Sequence, residues 1–120
     1  MRKKVIAGNW KMNNDLHGTV SLISDLKKEL NGKNVEAEVI ICPPFTSLET
    51  ASILLKDSTI KLGAQNMYFE ESGAFTGEVS VSMLKSVGCE YVILGHSERR
   101  TIFSESDQVI NKKIKTAIKF

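Results

Sequence analysis

The sequence predicts an α/β fold built on parallel strands, and three observations carry that expectation. Four short apolar runs recur, each rich in β-branched residues and apolar at consecutive rather than alternating positions. Such runs belong to parallel strands covered on both faces. A segment with helical periodicity follows each run, so strand and helix alternate four times. The chain has 120 residues, which suits either an open doubly wound sheet or about half of an eight-fold β/α barrel, since a whole barrel takes roughly 250 residues.

The first run is Val5-Ile6-Ala7. Behind it, a helix over residues 19–30 sets Val20, Ile23, Leu26 and Leu30 on one stripe, and Asn31-Gly32 supplies the stop. The second run, Val39-Ile40-Ile41-Cys42, ends at Pro43-Pro44. In the helix that follows, Thr46 and Glu49 have the spacing of a capping box, and Leu48, Ala51 and Leu55 face inward. Ile60-Lys61-Leu62-Gly63-Ala64 reads as the third strand, and a short helix over residues 80–86 ends near Gly88. Tyr91-Val92-Ile93-Leu94 is the fourth, and the last helix, over residues 106–119, aligns Val109, Ile110, Ile114, Ala117 and Ile118.

Sixteen Lys and Arg against fourteen Asp and Glu give a net charge of +2, too even a balance to indicate nucleic acid or an acidic partner. A chain of this length buries about two thirds of its unfolded surface, so its core needs no covalent staples. Cys42 and Cys89 lie beside apolar runs and read as buried, unreactive thiols in a reducing, cytoplasmic compartment. The start, Met1-Arg2-Lys3-Lys4, is basic, but the apolar stretch behind it is too short for a signal peptide. Nothing approaches the roughly 18 apolar residues of a membrane span. The sequence shows no P-loop, no glycine-rich dinucleotide fingerprint and no Cys/His metal spacing, so neither metal nor cofactor is expected.

In both architectures chemistry gathers where the carboxyl ends of the strands meet the following loops. Asn9 and Lys11 stand two apart at the end of the first strand, where alternation aims both side chains to one side. An amide and an ammonium converging there can hold an oxyanion or a phosphate. The same spacing also suits an asparagine at a loop start beside a surface lysine. Trp10 reads as packing, and His17 as a surface residue. His96 follows the fourth strand through Gly95 and heads a short helical turn. Amide N–H groups at that terminus disfavour a second proton, which points to a neutral imidazole acting as hydrogen-bond donor or acid. The alternative is a core histidine satisfied by backbone. Arg99 and Arg100, next to Glu98, read as a salt-bridge knot supporting the loop.

Taken together, Ala7-Gly8-Asn9-Trp10-Lys11-Met12-Asn13, Cys42-Pro43-Pro44, Leu62-Gly63-Ala64-Gln65-Asn66, Gly73-Ala74-Phe75-Thr76-Gly77-Glu78 and Ile93-Leu94-Gly95-His96-Ser97-Glu98-Arg99-Arg100 closely resemble the triosephosphate isomerase family. The likeness covers the whole chain in order. It implies four βα units of a (β/α)8 TIM barrel rather than the open sheet, and cofactor-free interconversion of dihydroxyacetone phosphate with D-glyceraldehyde 3-phosphate through an enediolate in glycolysis and gluconeogenesis. By position, it implies that Lys11 offsets negative charge on substrate and intermediate, that Asn9 helps hold Lys11 and a substrate oxygen, and that His96 polarises the carbonyl and shuttles a proton. A neutral histidine in that role is a well-known property of this family. Glu98 resembles the carboxylate that sits beside the lysine in the catalytic set; it is not the carbon base.

The resemblance also implies a homodimer with Met12, Gln65, Thr76 and Glu78 at the interface. In it the loop over residues 65–79 inserts beside the other subunit's active site. Residues 66–79 make a long βα connection of about fourteen residues, carrying Met67, Tyr68, Phe69 and Phe75, which one chain's surface would not easily hide. The family's base glutamate, closing lid and phosphate-gripping glycine-rich backbone fall after residue 120. Residues 1–120 therefore read as a single domain, the N-terminal half of a barrel, expected to be inactive alone and to self-associate through its open strand edges. An inactive, self-associating half-barrel is the competing reading, and an independent phosphate-binding α/β domain, resting on Lys11, is a third.

Overall fold

In the computed structural model, which describes residues 2–120, the first apolar run becomes β1 (Val5–Asn9). It pairs in parallel with β2 (Glu38–Cys42), from Val5 opposite Glu38 to Asn9 opposite Cys42. β2 pairs with β3 (Lys61–Ala64), and β3 with β4 (Tyr91–Val92), again in parallel. The strand order is sequential, β1-β2-β3-β4, and the sheet curls into half a barrel. An open doubly wound sheet would instead reverse direction part-way across. β4 is shorter than its apolar run: Ile93 still donates to the Ala64 carbonyl, but at Gly95 the chain turns with φ +67°, a conformation that favours glycine. Gly63 answers a different demand, since a Cβ there would lie 2.7 Å from Cys42 Sγ.

α1 (Leu16–Leu30) starts one turn before the expected boundary because the Asp15 carboxylate caps it, accepting from the Gly18 amide. Its buried face is Thr19 and Ile23, whereas Val20 is exposed. The Thr19 hydroxyl donates to the Asp15 carbonyl and shares a 2.8 Å hydroxyl–hydroxyl bond with buried Ser47. Ser47 belongs to a 3₁₀ turn (Phe45–Ser47) leading into α2 (Leu48–Leu54), whose Leu48 and Ala51 are buried with Leu55. No side-chain cap bond forms there, so the box read from Thr46 and Glu49 is not made. The dipeptide Pro43-Pro44 and the 3₁₀ turn set the start of this helix instead.

α3 (Val81–Ser86) is capped by Ser80, and α5 (Asp107–Lys119) by Ser106. Between them lies the single turn α4 (Ser97–Thr101). On α5 the stripe is rotated from the expected one: Ile110 is buried, Ile114 is exposed and Ile118 is 80 % exposed, while Lys113 is only 2 % exposed. One continuous core joins Ile23, Ile41, Leu48, Leu62, Met67 and Leu84, each such side chain contributing about 1.5–3 kcal/mol on burial. Met67 is thus hidden within its own chain, contrary to expectation. Tyr68 packs on Phe69 and Phe75, with ring centroids 4.3 and 4.7 Å apart, and only Phe75 of the three is exposed. Both cysteines are free and buried, and burial pushes their thiols up to about 11. Among the described residues no helix is long and apolar enough to cross a membrane.

Candidate functional site

At the carboxyl ends of the strands a cleft of about 210 Å³ opens between Asn9, Lys11, Phe45, Gln65, His96 and Glu98. The loops after β1, β3 and β4 thus converge, although their residues are far apart in sequence. Lys11 does not reach the cleft by strand alternation, because β1 ends at Asn9 and Lys11 takes a left-handed backbone with φ +58°. Asn9 makes that turn possible by accepting the Lys11 amide on Oδ1 at 3.0 Å. From there the Lys11 ammonium reaches Glu98 Oε1 at 2.7 Å. The hydrogen bond from Lys11 and its positive charge hold the Glu98 carboxyl below the usual range, against the opposing effect of desolvation.

His96 is the N-cap of α4, and its Nδ1 accepts the Glu98 amide at 3.3 Å. In that bond Nδ1 is the acceptor, which leaves Nε2 as the ring nitrogen available to donate. Glu98 Oε2 lies 3.5 Å from the same Nδ1. His96 is half-buried and lines the cleft, so it is not a histidine of the apolar core. α4 has five residues; it contributes one aimed amide rather than a long macrodipole.

Gln65, expected at an interface, turns its amide inward and donates to the carbonyls of Lys11 (2.9 Å) and Cys42 (2.8 Å). Met12 is 96 % exposed at the cleft's rim. Thr76 and Glu78 are exposed on the long loop and do not line the cleft. Arg99 pairs with Glu105 at 3.2 Å and Arg100 with Asp107, the knot the sequence suggests. Trp10 packs against the core and His17 is exposed. Among the described residues no group of three or more His, Cys, Asp or Glu is placed to hold a metal.

Beneath the site lies an ion group that periodicity did not reveal. The Lys113 ammonium donates to Glu105 Oε2 at 2.9 Å and to Asn66 Oδ1 at 3.0 Å, while Glu105 Oε1 is buried with no partner among the described residues. Burial pushes the Glu105 carboxyl up, but the hydrogen bonds and charges of Lys113 and Arg99 outweigh it and leave the group lowered. The one available signal was a lysine interrupting the apolar positions of a helix beside Ile110 and Ile114.

The family model described as triosephosphate isomerase matches residues 4–120. The chain belongs to the triosephosphate isomerase family. It is 57 % identical to the triosephosphate isomerase of Dictyoglomus thermophilum over 120 residues, covering 100 % of this chain and 48 % of that protein. The enzymes of Finegoldia magna and Alkaliphilus oremlandii are 59 % and 53 % identical over 119 residues, with 99 % of this chain and 47 % of each relative covered. The chain spans about half the length of the curated relatives it matches. Membership of the triosephosphate isomerase family accords with the sequential parallel strands and with a cleft at their carboxyl ends, the position where β/α barrels place their chemistry.

Proposed function

We propose that the complete protein interconverts dihydroxyacetone phosphate and D-glyceraldehyde 3-phosphate, without a cofactor, as a homodimer in the cytoplasm, and that residues 1–120 form one domain supplying the lysine–histidine half of the site. The observation that carries this reading is the meeting of Lys11, His96 and Glu98 in one cleft. Moving a proton between adjacent carbons of a hydroxyketone builds negative charge on two oxygens, which fixed donors stabilise. The Lys11 ammonium offsets charge on the substrate phosphate and the enediolate. His96, with its hydrogen on Nε2, donates to the carbonyl oxygen and carries a proton between the two enediolate oxygens. Asn9 fixes the Lys11 backbone through Oδ1, and its Nδ2 meets a substrate oxygen. Glu98 is the sole carboxylate lining the cleft among the described residues, and with its pKa held down by Lys11 it is a weak proton acceptor. It orients Lys11, and the carbon-bound proton is left to the family's base glutamate beyond residue 120.

Lys11→Met in the full-length chain tests this. The variant is expected to lose on the order of 10²-fold or more in kcat/KM with little change in thermal stability. Near-normal turnover at both saturating and subsaturating substrate overturns the assignment.

A second reading applies to residues 1–120 taken alone. β1 and β4 each pair on one side only, Ile6 is 60 % exposed on β1, and Ile102, Phe103, Ile114 and Ile118 are exposed beyond β4. That surface favours an inactive, self-associating half-barrel until the other four units cover it.

A further inference from the structure

We propose that Gln65 is a positioning residue that holds Lys11 in its left-handed conformation and so aims the ammonium into the cleft. Lys11 has φ +58°, a region that Cβ sterics disfavour for any residue but glycine and that persists only where surrounding structure imposes it. Both backbone groups of Lys11 are taken by side chains. Its N–H goes to Asn9 Oδ1 at 3.0 Å, and its carbonyl accepts Gln65 Nε2 at 2.9 Å. The first bond is local; the second reaches across 54 positions and ties the β1 loop to the end of β3.

The Gln65 amide has two hydrogens, and both are used, the other donating to the Cys42 carbonyl at 2.8 Å. That carbonyl also accepts the Trp10 amide at 3.1 Å, so a single glutamine fastens the β1 loop to the ends of β2 and β3 together. The partners fix the amide's orientation, because a flipped side chain would set its oxygen against two carbonyl oxygens. Both bonds are made within one chain, so this role can stand beside the interface role that family resemblance implies for the same position. Without the two bonds, Lys11 is free to relax to an ordinary right-handed or extended backbone, which swings its side chain away from Glu98.

The effect on turnover rests on the isomerase reading, whereas the effect on the backbone does not. In the full-length chain, Gln65→Met keeps the length and removes the donor. It is expected to lower kcat/KM about 10- to 100-fold, the scale of misplacing a catalytic group by up to about 1 Å. Because the displaced ammonium would otherwise contact anionic substrate, KM and the inhibition constant of inorganic phosphate rise together, measured at protein concentrations where sedimentation shows the variant in the parent's assembly state. A purely structural loss reduces only the active fraction, lowering kcat and leaving KM and the phosphate constant unmoved; that outcome overturns the proposal. A crystal structure of the variant decides independently: Lys11 is expected to leave positive φ, and retention of φ near +58° with its ammonium on Glu98 refutes the brace. Should the parent show no isomerase activity, the functional reading falls, and the crystallographic arm still decides the brace. If Gln65→Met does not fold, Gln65→Asn, one methylene shorter, withdraws the donor more gently and is read the same way.

Discussion

Replacing Lys113 by Met in the full-length chain tests the buried ion group most directly. Lys113 and Glu105 are 2 % and 3 % exposed and 2.9 Å apart. At that separation two unit charges attract by roughly 6 kcal/mol at an effective dielectric near 20, a gross figure largely offset by the desolvation of both ions. Removing one partner of such a pair costs about 3–5 kcal/mol, because the surviving charge stays buried. Two features bear on the value here. Glu105 Oε1 is already without a partner, which raises the cost, while Arg99 remains 3.2 Å from Oε2 and offsets part of the lost charge. The second effect acts on the ionised carboxylate itself, so the expected loss is about 3 kcal/mol, the low end of that range. For a chain of roughly 250 residues this corresponds to a fall of about 6–12 °C in Tm at fixed protein concentration.

The companion variant Lys113→Met/Glu105→Leu removes both charges and leaves Arg99, which is a third exposed, able to turn to solvent. It is expected to recover most of the stability lost in the single variant. pH gives a further check. A carboxyl lowered in the folded state contributes stability that is fully present above its unfolded value of about 4.3 and is lost as pH falls through the folded value. The parent should therefore lose stability in the acid range more steeply than Lys113→Met, where that contribution has shrunk. Urea unfolding of the three proteins from pH 7 downward measures all of this. A single variant within about 0.5 kcal/mol of the parent, which is the scatter of ordinary surface substitutions, or a double variant less stable than the single, refutes the reasoning.

Two further outcomes concern assembly. Deleting most of residues 70–77, which are exposed and carry Phe75, should convert the full-length protein to a monomer of greatly reduced activity, and an unchanged dimer in sedimentation would rule that out. Residues 1–120 alone should show essentially no isomerase activity, since a missing positioned base removes about 10²- to 10⁴-fold, and should partly recover it when refolded with a fragment carrying the other four units. Turnover near that of an intact isomerase, with host enzyme excluded by a Lys11→Met control, would contradict this.

β2 was legible in the sequence because a strand covered on both faces must be apolar at every position, and Val39 to Cys42 satisfy that locally; β1 carries the same pattern, but at the edge of the sheet its Val5 and Ile6 are exposed. Helix ends were legible where a cap is local, as at Ser80, Ser106 and Gly88. The Thr46 cap failed because Pro43-Pro44 and the 3₁₀ turn override a spacing rule. Asn9, Lys11 and His96 were legible as candidates because each stands polar just after an apolar run, whereas Glu98 and its place beside Lys11 came from the family resemblance. Local pattern alone could not supply that pairing, since it joins loops after different strands.

Periodicity fixes that a helix has an apolar face, but the neighbours decide which residues that face buries. On α5 they bury Lys113, because Asn66 and Glu105, 47 and 8 positions away, supply its partners, and they leave Ile118 exposed. Gln65 shows the same division. Its place at the end of β3 is written in the sequence, but only the tertiary structure brings the Lys11 and Cys42 carbonyls within reach of one amide, because hydrogen-bond partners 54 and 23 positions apart meet only once the parallel strands are in register.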